Sequence, residues 1–354
     1  MDNKTINTLQ HIVSILNRTI PIPLLIFGTI GNLLNIFILT RASLQKNSCA
    51  FYFLALAFVN LGCLWFDLFA RLLSGYRIDP TTWNSIVCKF RFYITYLSLY
   101  LSSFFLLYAT IDRWASSSTN VGIRLFSKIE VARRIVLYTV IFALLFYLEI
   151  FYCYSTVEHL FRINCYCRNY ACRVFNDIQF LVLYSLIPSI LMLYFGYQTI
   201  RNVKRIHPTI NQLRSMKKKD QQMMMMLRIQ VIFFFVCITP SAVSKCYTAL
   251  TYNINKDLLE TTKENFFFQI SVLLLYVHYS SAFYIYTLSG RKFRREVKRL
   301  IRTFHRSHSA ATSPSTVTRP SHILMIYQRN QDNLVRQTIS NRYAYANNSI
   351  ETSR

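Results

Sequence analysis

Seven long apolar stretches, each followed by a short loop carrying lysine and arginine, dominate this chain and restrict its folds more than any other feature. A helix needs about 20 apolar residues to cross the ~30 Å hydrocarbon core of a bilayer. In lipid, a helix satisfies its backbone N–H and C=O groups from within. The stretches are Ile20–Thr40, Cys49–Leu73, Cys88–Ile111, Ile135–Tyr154, Ile178–Ile200, Met223–Leu250 and Phe266–Leu288. Only 16% of the 354 residues are charged, where a soluble domain carries about 25%. The fold class this implies is an all-α membrane protein, a seven-transmembrane helix bundle. The first stretch does not read as a signal peptide, because Pro21 and Pro23 open it and no small-residue cleavage site closes it.

Basic residues give the orientation. Loops after the first, third and fifth stretches hold fourteen: Arg41 and Lys46; Arg113, Arg124, Lys128, Arg133 and Arg134; Arg201, Lys204, Arg205, Arg214, Lys217, Lys218 and Lys219. The alternate loops hold six: Arg77; Arg162, Arg168 and Arg173; Lys256 and Lys263. Positive charge stays on the cytoplasmic side, so the N-terminus is expected outside and the C-terminus inside, at the plasma membrane. Two glycan acceptor sequences, at Asn3 and Asn17, lie in the segment so placed outside. Residues 291–304 set basic side chains around Phe293, Val297, Leu300 and Ile301, which suits a short eighth helix lying on an anionic leaflet. The expected organisation is an extracellular segment over 1–19, a membrane domain with its amphipathic helix over 20–304, and a disordered cytoplasmic tail over 305–354.

The same charge distribution excludes other classes. Forty Lys+Arg against fifteen Asp+Glu give a net charge of +25, which in a soluble protein would suggest nucleic-acid binding. Here the cations sit beside apolar blocks, so no nucleic-acid partner is expected. Cys165 and Cys167 have no His/Cys pair at ligand spacing, so neither a metal nor a cofactor is expected. Scattered Ser and His show no spacing that would set a nucleophile beside its base, which argues against an enzyme. A transporter would show intramembrane charge chains or repeats, and none is visible.

Position-specific residues then give a family resemblance. Asp112-Arg113-Trp114 ends the third stretch, and Cys88 lies 25 residues before Arg113. That is a helical rise of about 38 Å, which puts the two at opposite membrane faces. This pairing, with Trp83 just before it, resembles the Asp-Arg-Tyr motif, helix-3 cysteine and outer-loop tryptophan of rhodopsin-like (class A) G-protein-coupled receptors. Further matches run from Gly31-Asn32 through Leu56-Ala57-Phe58-Val59-Asn60, Pro188 and Cys237-Ile238-Thr239-Pro240 to Tyr286 and Phe293. The run 288–296 is similar to invertebrate neuropeptide receptors of the FMRFamide group. There are departures. Asn60 replaces an Asp, Ile238 a Trp, Ala282-Phe283 an Asn-Pro and Gly196 a Tyr.

The resemblance implies roles. Asp112, Arg113, Asp220, Pro240 and Tyr286 would form the switch that receives a heterotrimeric G protein, with an Arg113–Asp220 ionic lock. Asn32, Asn60, Pro188 and Phe293 would be structural. Cys88 would bond an outer-loop cysteine, with Cys167, Cys165 and Cys172 as candidates; Cys153 is expected to be a buried apolar filler. Serines and threonines of the tail would suit phosphorylation and arrestin capture.

For the ligand, Thr95 stands where amine receptors carry Asp, and Tyr276 where opsins carry the retinal lysine. Asp67, Arg71, Arg91 and Lys245 add ionisable groups among aromatic side chains. Together with Thr95 and Tyr276 they make a polar, aromatic-lined pocket that suits a peptide. An alternative for Asp67 and Arg71, at i and i+4, is that they pair with each other. An alternative for the whole chain is a receptor-shaped protein that binds ligand without activating a G protein.

Overall fold

Asparagine and aspartate side chains set where several of the helices begin. Asn47 accepts from the Ala50 N–H at 3.2 Å, Asn84 from Ile86 and Val87 at 2.9 and 3.2 Å, Asn169 from Cys172 at 2.9 Å, and Asp257 from Leu258 at 2.7 Å. Each satisfies a donor that the helix itself leaves open. The computed structural model describes residues 2–76, 78–159, 162–205, 211–251, 254, 256–290, 293–300 and 302, without the side chains of residues 2, 43, 157–164, 204, 205 and 211–223. The tail 305–354, with its Ser/Thr cluster, lies outside the described residues.

Among the described residues, seven helices are long and apolar enough to cross a membrane. They are α1 (Asn3–Leu39), α2 (Ser48–Gly75), α3 (Ser85–Ser117), α4 (Ile129–Cys153), α5 (Tyr170–Val203), α6 (Asn211–Leu250) and α7 (Leu258–Ser289). Residues 293–300 form a further short helix, α8. The fold is thus the seven-helix bundle expected from hydropathy. α3 runs through its middle: 67% of its most apolar window is buried, against 22% for α4. The exposed face of α4 carries Leu137, Tyr138, Ile141, Phe142 and Leu145, an apolar surface suited to contact with lipid.

Helices approach closely where side chains permit. A Cβ on Gly28 of α1 would lie 2.7 Å from side-chain atoms of both Leu64 and Ser280, so glycine lets α1 seat against α2 and α7 there without displacing either. At the turn into α8, a Cβ on Gly290 would lie 2.6 Å from the Met226 sulfur and 2.8 Å from the Tyr286 carbonyl. Phe293 then packs back against Tyr286, ring centroids 5.8 Å apart.

Three elements differ from the hydropathy reading. Residues 2–19 are helical and join the first span at Ile20. Pro21 does not interrupt the path, because a proline at the first helical position lacks only an N–H that would be open anyway. This N-terminal part of α1 packs on the ends of α2 and α7, and Arg18 Nε donates to the Gly75 carbonyl at 2.5 Å. Between α4 and α5 the chain forms an antiparallel hairpin, β1 (Tyr154–His159) and β2 (Arg162–Cys167), with Tyr154 opposite Cys167 and Thr156 opposite Cys165.

The third difference is a wide π turn in each of α2 and α5, over Leu64–Leu68 and Phe180–Leu186. The second immediately precedes Pro188, whose ring clashes with an ordinary helix's carbonyl four residues back. A π turn at that point opens the ladder where the proline cannot close it.

Candidate functional site

All six residues expected to form a ligand pocket, Asp67, Arg71, Arg91, Thr95, Lys245 and Tyr276, line one cavity of about 480 Å3 at the hairpin end of the bundle. α2, α3, α5, α6 and α7 all contribute to its wall, and the hairpin contributes Tyr166 and Cys167.

Its charges are arranged in pairs that link helices to one another or to the adjoining loops. Arg91 lies 3.3 Å from Asp67 and 3.4 Å from Asp79. The Tyr276 hydroxyl donates to the other Asp67 oxygen at 2.6 Å. Lys245 meets Asp177 at 2.6 Å and rests 5.0 Å from the centre of the Phe268 ring. Lys256, beyond the end of α6, bonds Glu264 at 2.5 Å. Asp67 therefore pairs across the bundle with α3 and α7, and not with Arg71 on its own helix. Asp67 sits within the π turn and Arg71 beyond it, so the phase that would stack residues i and i+4 is broken. Arg71 instead lies 5.6 Å from the centre of the Tyr276 ring and donates through Nη1 to the amide oxygens of Gln269 and, at 3.4 Å, Asn17. Thr95 turns back onto its own helix, donating to the Arg91 carbonyl at 2.9 Å.

The cysteines correct two expectations. Cys88 bonds Cys165, not Cys167, with Cα atoms 5.6 Å apart. Cys153, expected as a filler, bonds Cys172 at a Cα separation of 5.4 Å. Cys165 and Cys167 are two residues apart on one strand, hence on the same face, and their spacing from Cys88 could not separate them. The hairpin register decides: it sets Cys167 opposite Tyr154 at the base of the hairpin. The thiol of Cys167 stays free in the cavity wall, and burial pushes its pKa up.

At the opposite end of α3, Asp112 and Arg113 are both buried. Arg113 Nη2 and Nε reach the same Asp112 oxygen at 2.5 and 3.1 Å, and Ser127 donates to the other oxygen at 2.9 Å. The carboxylate thus neutralises the arginine locally and ties α3 to the loop before α4. Asp220 lies on α6, but its side chain is outside the described residues. Tyr286 is fully buried between Phe53, at a centroid distance of 4.8 Å, and Phe293.

Residues 31–282 match the family model described as 7 transmembrane receptor (rhodopsin family), which covers well over half of the chain. The chain belongs to that family. It is a multi-pass membrane receptor of the class that takes extracellular ligands and couples to G proteins. No curated protein matches the receptor by sequence.

The receptor's departures from the family pattern have structural counterparts. Where a helix-2 carboxylate is usual, Asn60 donates to Asn32 at 3.4 Å, and Asn32 donates to the carbonyls of Gly28 and Tyr279 at 2.8 and 3.0 Å. Neutral amides therefore tie α1, α2 and α7 together. Ile238 is buried on α6, beside an aromatic group that joins three helices. In it Phe234 of α6 packs edge-on to Tyr184 of α5 and His278 of α7, at 5.9 and 5.4 Å. The Tyr184 and Tyr279 hydroxyls bond at 3.1 Å, linking α5 to α7. Pro240 lies inside α6 and removes one bond of its ladder. Sequence reading missed Asp177, Glu264 and Gln269. Each is an ordinary polar residue in sequence, so only its partner in the folded chain marks it as part of the site.

Proposed function

We propose that the receptor detects an extracellular peptide and passes the signal to a heterotrimeric G protein, with its N-terminus outside and its C-terminus inside. The observation that carries the ligand class is the cavity itself. Its volume of about 480 Å3 falls within the usual range of ligand pockets. Its wall alternates charged pairs with aromatic rings, which matches the mixed chemistry of a peptide better than that of a lipid or a simple amine. No carboxylate stands at Thr95 to hold an amine, and Tyr276 cannot form a Schiff base with retinal.

The orientation rests on two arguments. Two disulfides at the cavity end need an oxidising compartment, and the loops at the Arg113 end carry the basic excess. Of the two glycan sequences, we assign the modification to exposed Asn3, because the Asn17 side chain is half-buried and engaged with Arg71. On the inner face, Arg113 released from Asp112, and from a lock with Asp220, would receive the G protein. Outward movement of α6 about Pro240 would open the way. Arrestin capture by the tail follows from its Ser/Thr cluster.

A peptide library screened on transfected cells with second-messenger readouts tests this reading. Activation by one or more peptides is the expected result. Activation by amines or lipids alone would overturn the ligand class. Saturable peptide binding with no second messenger in any G-protein background would favour a receptor that does not activate G proteins, a reading supported by Ile238 in place of the family's tryptophan.

A further inference from the structure

Arg71 differs from the other cations around the cavity whose partners have been described. Arg91, Lys245 and Lys256 each meet a carboxylate at 3.4 Å or less. Among the described residues, no carboxylate oxygen comes within ion-pair distance of Arg71. Its bonds go only to the neutral amide oxygens of Asn17 and Gln269, and both leave from Nη1. Its Nε is buried with no acceptor at all. A guanidinium does not shed its proton, so this half-buried cation keeps its charge with no ion-pair partner among the described residues. The guanidinium is therefore short of an anion, and its Nη2 makes no hydrogen bond among the described residues.

The geometry points to a ligand carboxylate that docks on Arg71. This rests on the reading of the cavity as a peptide site and names the ligand group that the site selects. Three features favour a carboxylate. Arg71 lies in the cavity wall, with its guanidinium carbon 5.6 Å from the centre of the Tyr276 ring, so the ring holds its plane and leaves its edges for hydrogen bonding. The planar fork matches the two oxygens of a carboxylate. One guanidinium lacking a counter-charge calls for one negative charge, whereas a phosphate monoester would bring about two. Asp67 cannot take the role, because Arg91 and the Tyr276 hydroxyl already occupy both of its oxygens. Gln269 and Asn17 hold the guanidinium from α7 and from the outer part of α1. An anion bound there would therefore be read by three helices.

The test uses small probes and reads occupancy alone, so it does not depend on signalling. Full-length receptor in phosphatidylcholine nanodiscs is titrated, by saturation-transfer NMR, with N-acetyl-tyrosine, with N-acetyl-tyrosinamide and with N-acetyl-aspartic acid amide. The first carries a terminal carboxylate, the second none, and the third a side-chain carboxylate. Wild-type receptor is expected to bind at least one acid about tenfold more tightly than the neutral amide, the scale of a charge-assisted hydrogen bond. Whichever acid is preferred identifies the source of the carboxylate. R71Q should bring acid and amide within about twofold of each other, and R71K should retain part of the preference as a point charge without a fork. Equal binding of acids and amide by wild type, no saturable acid binding, or a preference that survives R71Q would each overturn the proposal. The wild-type comparison stands even if R71Q folds poorly. A receptor that binds the acid yet never signals would leave this inference intact and contradict the signalling proposal instead.

Discussion

Substituting Asp67 by asparagine isolates the ion pair that joins α2 to α3 in the cavity wall. The change keeps the shape and removes the charge that Arg91 meets at 3.3 Å. Breaking a buried pair so that one charge is stranded costs about 3–5 kcal/mol. Arg91 is not stranded here, because Asp79 remains 3.4 Å away. The loss should therefore approach that of one charge-assisted hydrogen bond, about 2 kcal/mol. For a chain of this size that corresponds to a fall in Tm of about 3 °C. R91Q leaves two carboxylates facing each other and should lose more, about 3–5 kcal/mol. The double variant should fall short of the summed losses by about 1.5–2 kcal/mol, because both changes remove the same contact. Thermal unfolding of purified receptor in nanodiscs reads all four species. Losses that add within about 0.5 kcal/mol would refute the coupling, and with it the account of how the cavity wall is held.

Other consequences can be checked separately. In a C246S background, Cys167 should react with maleimide more slowly than an ordinary thiol. Its rate should keep climbing at a pH where a free cysteine has levelled off, because burial raises its pKa and the thiolate is the reactive form; a rate profile centred on the ordinary thiol range would contradict this. Sodium should leave agonist affinity nearly unchanged in wild type, since Asn60 supplies no anionic oxygen, while N60D should acquire a sodium dependence; a large sodium effect in wild type would count against this. D220N should raise basal second-messenger levels if Asp220 locks Arg113, and unchanged basal signalling would remove the lock from the scheme.

The bundle was legible in the sequence because lipid imposes a coarse rule: some twenty apolar residues read as a span whatever their order. The pocket residues were legible for a related reason. Asp67, Arg71, Arg91 and Lys245 are charges within apolar stretches, and such charges need a purpose. Their pairing was not legible. The π turn at Leu64–Leu68 breaks the helical phase, and nothing in the run Leu-Trp-Phe-Asp-Leu announces it. The helix over residues 2–19 was hidden by its mixed polarity, since it is supported by packing on α2 and α7 and not by hydropathy. The disulfide of Cys88 depended on a hairpin register that spacing alone could not fix between Cys165 and Cys167.

The central claim is that ligand occupancy at the hairpin end of the bundle is read out by Arg113 at the other. Guanine-nucleotide exchange on a reconstituted heterotrimeric G protein, driven by a peptide from the library screen, measures this directly with wild type and R113Q side by side. The account predicts accelerated exchange with wild type, and exchange at the basal rate with R113Q while peptide binding is retained. Peptide-driven exchange that is equal in R113Q, or a bound peptide that leaves the wild-type rate at its basal value, would contradict it.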